Sequence, residues 1–229
     1  MLFPDVKADN LGSADIADKS WLWGAPAGGI YRRCLKRAFD LGVVLLAAPF
    51  VLLVVGVLAL LIRRDGGPAF YSQNRVASDG RTFRCWKLRS MVVDAEAQLA
   101  DHFERDPAAR AEWETHQKLK NDPRITPLGR FMRKTSLDEL PQLWNVLRGE
   151  MSLVGPRPIL PEQRGLYPGQ AYYTLRPGLT GFWQVGARNH SSFADRADHD
   201  VQYSLRLSFP TDLLVLLMTL RVVLRGTGY

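Results

Sequence analysis

Residues 41–62 are 22 consecutive positions without a charged side chain, and this run constrains the chain more than any other feature. A helix of about 20 apolar residues is long enough to cross a bilayer. So long a run rich in Val and Leu rarely serves a soluble core, so the segment is expected in the membrane. Its flanks then decide the topology. Arg32, Arg33, Lys36 and Arg37 precede it, and Arg63 and Arg64 follow it. Basic flanks favour the cytoplasmic face, and a straight span cannot place both ends there. Pro49, near the middle, removes one helix hydrogen bond and favours a kink. A helix that enters, bends near Pro49 and returns satisfies all three observations. An ordinary span with a tolerated proline is the alternative, and the residues alone leave both open.

The remaining chain is globular in composition. Its 46% hydrophobic content excludes wholesale disorder, and a net charge of +7 points to an anionic partner. Cys34 and Cys85 form no CxxC pair, so neither a disulfide framework nor a zinc site is expected, and a reducing compartment fits. Residues 1–30 carry four aspartates and several glycines with no early apolar run. They read as a flexible arm without a cleavable signal peptide, with Trp21 and Trp23 able to touch the domain or the interface. Residues 69–76 and 81–88 flank Asp79-Gly80, which predicts a β-hairpin. Residues 92–120 read as a solvated helical pair broken at Pro107, with no role for His102 or His116. A second apolar stretch, 213–220, is too short to span; it suits an interfacial helix or a place in the core.

The densest pattern lies between Arg133 and Pro158. Pro141 is tolerated in a helix only in its first turn, so a helix should begin near Asp138. That would place a carboxylate at the positive end of a helix dipole, where an anionic phosphate is also welcome. Alternatively Asp138 is a plain N-cap, or Ser136 and Glu139 form a capping box. Arg133, Lys134 and Arg157 bracket the two acids, and Pro156 and Pro158 hold Arg157 rigidly. Guanidinium forks suit phosphate oxygens, which links the positive charge to a diphosphate.

Further motifs punctuate the chain: Lys36-Arg37 with Phe39-Asp40, Gln73 and Arg75, and Lys87, Arg89 and Met91. Residues 136–158, 176–181, Gln184-Val185, Arg188-Asn189 and the set Arg196, Asp200, Tyr203, Ser208 and Asp212 complete the series. Together they resemble the monotopic phosphoglycosyl transferases, the bacterial sugar transferases of exopolysaccharide and related glycoconjugate assembly. The resemblance runs from Tyr31 onward; the short form, without an extra multi-span region, looks like the galactose-directed exopolysaccharide initiators, with glucose and N-acetylated sugars left open.

That resemblance implies an α+β, mainly helical fold. Residues 31–64 would form a re-entrant membrane helix with its kink at Pro49. Residues 65–229 would form a cytoplasmic catalytic domain with a small β-hairpin and interfacial amphipathic helices, at the bacterial inner membrane. Asp138 would be the nucleophile toward a UDP-sugar and Glu139 its partner in holding Mg²⁺. Arg133, Arg157, Pro158, Arg188, Lys87 and Arg89 would bind phosphate or nucleotide. The partners would be UDP-galactose or UDP-glucose, polyprenyl phosphate and the bilayer, with no nucleic acid; a homodimer stays open. Ala48 stands where many relatives carry Ser before the proline, and Ala77 where a Gly is common. Asp195, Asp198 and Asp200 with His190 and His199 read as a solvated face with Asp200 structurally paired, rather than as a second metal site. A glycoside hydrolase would need its carboxylates on opposite sides of a sugar, which adjacent residues do not provide. A basic scaffold or nucleic-acid binder would leave the Asp-Glu pair unexplained.

Overall fold

A computed structural model describes residues 29–116, 119, 121–186 and 193–224. The arm with Trp21 and Trp23, together with Arg188, Asn189 and His190, lies outside the described residues. The described residues open with a π-helical turn, Tyr31–Leu35, that runs into α1, Lys36–Ile62, with Pro49 inside it. The hairpin follows as β1, Phe70–Val76, and β2, Thr82–Leu88, antiparallel with Val76 opposite Thr82. Gly80 sits at φ 80° in the turn, and Asp79 accepts a hydrogen bond from the Arg81 backbone N–H. Helices α2, Ala95–Arg105, and α3, Pro107–His116, meet at Asp106, whose carboxylate accepts from the N–H groups of Ala108 and Ala109. Beyond them come α4, Pro127–Thr135; α5, Gln142–Arg148; β3, Ser152–Val154; β4, Gly178–Thr180; α6, Phe182–Val185; α7, Asp195–Arg206; and α8, Phe209–Leu224. The fold is mainly helical with a small antiparallel sheet, as the sequence leads one to expect.

One pairing has no sequence signal. Strands β3 and β4 run parallel, with Ser152 opposite Gly178 and Val154 opposite Thr180. The two backbones touch so closely that a Cβ on Gly178 would lie 2.1 Å from the Gly155 nitrogen. Only glycine permits that approach. This contact fixes the start of the Gly155-Pro156-Arg157-Pro158 segment and so the position of Arg157.

Helix α1 is attached to the rest of the protein at both ends. Near its start, Val44 is buried with Val146, Met151, Leu153, Tyr203 and Val215. Near its end, Leu58 and Ile62 are buried with Ala69, Leu88 and Met132. Between them Leu46 is 85% exposed and Phe50 and Leu52 are 70% exposed. A buried polar network reinforces the first attachment. Lys36 Nζ, Tyr31 Oη and Tyr203 Oη all lie 2.7 Å from the carboxylate of Asp212 on α8. Asp40 accepts from Ser152 Oγ at 2.7 Å, and Arg37 donates to the Val146 and Leu147 carbonyls at the end of α5. The basic flank is therefore largely spent on the domain itself.

Helix α8 buries Asp212 and Val215 and exposes Phe209, Leu213, Leu217 and Leu220 on its other side. The 213–220 stretch thus both packs on the core and presents an apolar face. Removing the central carboxylate of the network strands a buried ammonium. Asp212→Ala is expected to cost about 3 kcal/mol of stability. Thermal unfolding in detergent checks this: a clearly lower midpoint is expected, and an unchanged one removes the network from the anchoring of α1.

Candidate active site

Helix α4 ends at Ser136, which takes a left-handed conformation with φ 57°. Asp138 and Glu139 then lie in a separate 3₁₀ turn, Leu137–Glu139, and α5 starts only at Gln142 with Pro141 as its N-cap. The expectation of a helix beginning at Asp138 is corrected by one turn. A proline has no N–H to carry an α-helical ladder backward, and the turn bonds Glu139 N to Ser136 O and Leu140 N to Leu137 O instead. The Ser136 side chain makes no cap, and Glu139 faces other partners, so neither capping alternative forms. Asp138 is thus buried within that turn rather than set at the start of an α-helix.

The hairpin supplies the facing wall. Side chains alternate along a strand, so Cys85 and Lys87 share one face with Arg75 of the paired strand. Lys87 Nζ lies 2.7 Å from Glu139 Oε1, and Arg157 Nη2 lies 3.4 Å from the same oxygen. Arg75 donates to the Pro158 carbonyl at 3.1 Å and to Gln73 Oε1 at 2.8 Å. A small pocket between the walls is lined by Arg75, Cys85, Lys87, Glu139, Gln142 and Arg157. Behind Arg157 its guanidinium lies 6.0 Å from the Trp183 ring, and Arg196 lies 4.1 Å from that ring and 4.7 Å from Phe193.

Electrostatics separate the two acids. Burial raises the Asp138 carboxyl and adjacent Glu139 adds to it, while Lys87 and Arg133 pull it back, leaving it at about 6. Burial also works against the Glu139 anion, but Lys87, Arg157 and Arg75 outweigh it and hold this group at about 2. Glu139 is thus a fixed anion among cations. Asp138 is a desolvated carboxylate, largely ionised at neutral pH and poorly solvated, which is the condition of a reactive oxygen nucleophile.

The matched family decides what this arrangement belongs to: the model for bacterial sugar transferases fits residues 31–226. The chain is a member of that family. It is 48% identical over 198 residues to the UDP-galactose-lipid carrier transferase of Erwinia amylovora. It is 46% identical over 202 residues to the undecaprenyl-phosphate galactose phosphotransferase of Salmonella typhimurium. Each alignment covers 86% of this chain, which spans 42% of those relatives' own length. With the exopolysaccharide production protein ExoY of Sinorhizobium fredii the identity is 43%, covering 89% of both chains.

Most of the site residues expected for this family member converge. Glu139, Lys87, Arg157 and Pro158 line one pocket, and Asp138 is buried next to Glu139 within reach of the Lys87 charge. Arg133 donates to Ser90 Oγ at 2.8 Å and acts on Asp138 through its charge. Arg89 does not join them. Its guanidinium is spent on Asp65 and on the carbonyls of Ile62, Pro68 and Met91, where it pins the end of α1 to the hairpin. Asp200 accepts from Tyr167 Oη at 2.7 Å in a buried pair. Sequence reasoning assigned no role to Arg75, Cys85, Gln142 or Trp183. The first two were accessible in principle, since the turn at Asp79-Gly80 sets the hairpin register and puts both on the Lys87 face. Among the described residues no cluster of three His, Cys, Asp or Glu could hold a metal. Mg²⁺, however, needs only one or two carboxylates when substrate phosphates complete its shell, so Asp138 and Glu139 have suitable donor chemistry.

Proposed function

We propose that this chain transfers a sugar 1-phosphate from a UDP-sugar to polyprenyl phosphate, releasing UMP, as the first membrane step of exopolysaccharide or related glycoconjugate synthesis. The observation that carries the reading is the buried Asp138 carboxylate, on which Lys87 and Arg133 act, next to Glu139, which Lys87, Arg157 and Arg75 hold as an anion. The named activities of the relatives support the donor and acceptor classes, and favour galactose.

An Asp138 oxygen attacks the sugar-proximal phosphorus of the donor. The bond from that phosphorus to the bridging oxygen breaks, and UMP leaves with the electron pair. The resulting aspartyl phosphosugar is attacked by a phosphate oxygen of polyprenyl phosphate, which restores the carboxylate and gives polyprenyl diphosphate sugar. Lys87 and Arg157, already seated at Glu139, and Arg75 beside them neutralise the transferring phosphate. Mg²⁺ held by Asp138, Glu139 and the substrate phosphates would add further neutralisation of the diphosphate. Incubating the protein with a panel of UDP-sugars and undecaprenyl phosphate tests the reading: UMP release is expected with UDP-galactose or UDP-glucose, and none with any donor would refute it. Arg157→Ala is expected to lower kcat or raise the donor KM by about one to three decades, the scale of one charge-assisted contact at a reacting phosphate. Normal kinetics would mean that the phosphate is held elsewhere.

We also propose that α1 is a re-entrant hairpin at the cytoplasmic face of the inner membrane. Its two attachments to one domain, with an exposed apolar middle containing Pro49, support this reading. Single cysteines at Ser20 and Ser72, after replacement of Cys34 and Cys85, should both resist a membrane-impermeant thiol reagent until the inner membrane is opened. Labelling of the Ser20 site alone from the periplasm would establish a span instead.

A further inference from the structure

The structure holds a second concavity, away from the carboxylates, along the last turns of α1. It is an open groove of about 830 Å³, within the size range of ligand clefts. Gly56, Ala59 and Leu60 form one wall, Ala69 and Phe70 the other, and Arg63 stands at the end where the helix leaves its apolar run. The small side chains at Gly56 and Ala59 are what make the helix surface concave. The opposite wall is rigid. Gly66 reverses the chain at φ 84°, and Arg89 clamps the turn through Asp65 and the Ile62 and Pro68 carbonyls.

The groove joins two regions of different chemistry. On the helix it continues the exposed apolar stretch around Leu52, Leu53 and Val57. At its inner side, Ala69 belongs to the same buried cluster as Leu137, the residue before Asp138. Phe70 is paired with Leu88, which is buried in that same cluster. A ligand that is a long apolar chain ending in one anionic group matches this layout: hydrocarbon along Gly56, Ala59 and Leu60, and the anion drawn past Arg63 toward the catalytic cations.

The geometry points to this groove as the binding track for the proximal isoprene units of the polyprenyl phosphate acceptor. The inference rests on the transferase reading above and adds to it the residues that meet the acceptor chain.

Two variants test it. An added Cβ at Gly56 has nothing within 4 Å, so Gly56→Leu starts into open space and narrows the groove, and leucine is the better helix former. The second variant, Arg63→Gln, removes the charge at the mouth from an exposed position. UMP release on mixing with UDP-sugar alone, without acceptor, reads the first half-reaction. It should match wild type in both variants. The apparent KM for undecaprenyl phosphate should rise roughly tenfold or more in Gly56→Leu, the scale of lost burial for part of one isoprene unit. It should rise less in Arg63→Gln. With an acceptor of only one isoprene unit, too short to fill the track, the Gly56→Leu effect should largely vanish. An unchanged undecaprenyl phosphate KM in both variants overturns the inference, as would be found if bilayer phospholipid chains fill the groove. So does an equal rise for long and short acceptors. Absence of UMP release by the wild-type protein refutes the transferase reading itself.

Discussion

Asp138→Asn is expected to abolish transfer while leaving a folded, membrane-associated protein. The side chain is nearly isosteric and 8% exposed, and the change relieves the desolvation of a buried carboxylate rather than opening a cavity. Stability should therefore hold or rise. The chemical loss is severe because the amide oxygen is a poor nucleophile and no second carboxylate can take over. Glu139 is tied to Lys87 and Arg157 and held at about 2, a weaker base than Asp138 and already occupied. Loss of the nucleophile should lower UMP release by about four decades or more. Thermal unfolding and a UMP assay on the same preparation check both halves. A variant that kept a substantial fraction of UMP release would place the nucleophile elsewhere.

Glu139→Gln should be nearly as damaging for a different reason. Glu139 faces Lys87 at 2.7 Å and Arg157 at 3.4 Å, with Arg75 close enough to act through its charge. Removing its charge leaves those cations without their fixed anion, so they repel one another and shift, and the metal donor set loses a member. We expect kcat to fall by about two to three decades, the scale of a lost electrostatic contact in a preorganised site, with a weaker response to added Mg²⁺. The donor KM should not rise in proportion, because the freed cations still attract the diphosphate. A Mg²⁺ response identical to wild type would remove Glu139 from the metal site.

The sequence made some features legible because they are local. The Asp79-Gly80 turn sets the hairpin to within a residue at each inner end, since the turn geometry alone fixes the pairing. The apolar run and its proline announce α1. The ordered motif around Asp138 and Glu139 identifies the family. Other features depend on partners distant in the chain. Arg89 looks like a phosphate ligand because it stands two positions from Lys87, yet it lies just past β2, which ends at Leu88, and there its guanidinium turns to Asp65 and the end of α1. Asp212 lies 176 positions from Lys36, so their ion pair has no local signature. The parallel contact of β3 with β4 involves three-residue strands whose glycines matter only once the backbones meet. Pro141 permits several helix beginnings, and α5 starts one turn later than Asp138, after the 3₁₀ turn that follows Ser136.

The covalent step is the central claim, and peptide mass spectrometry tests it most directly. The protein should be mixed with UDP-sugar and Mg²⁺ in the absence of any lipid acceptor, then quenched and digested. The account predicts a burst of UMP and a matching mass gain of one sugar phosphate on the peptide containing Asp138, discharged when polyprenyl phosphate is added. UMP released only in the presence of acceptor, with no adduct at any time, would show direct transfer between substrates and contradict it.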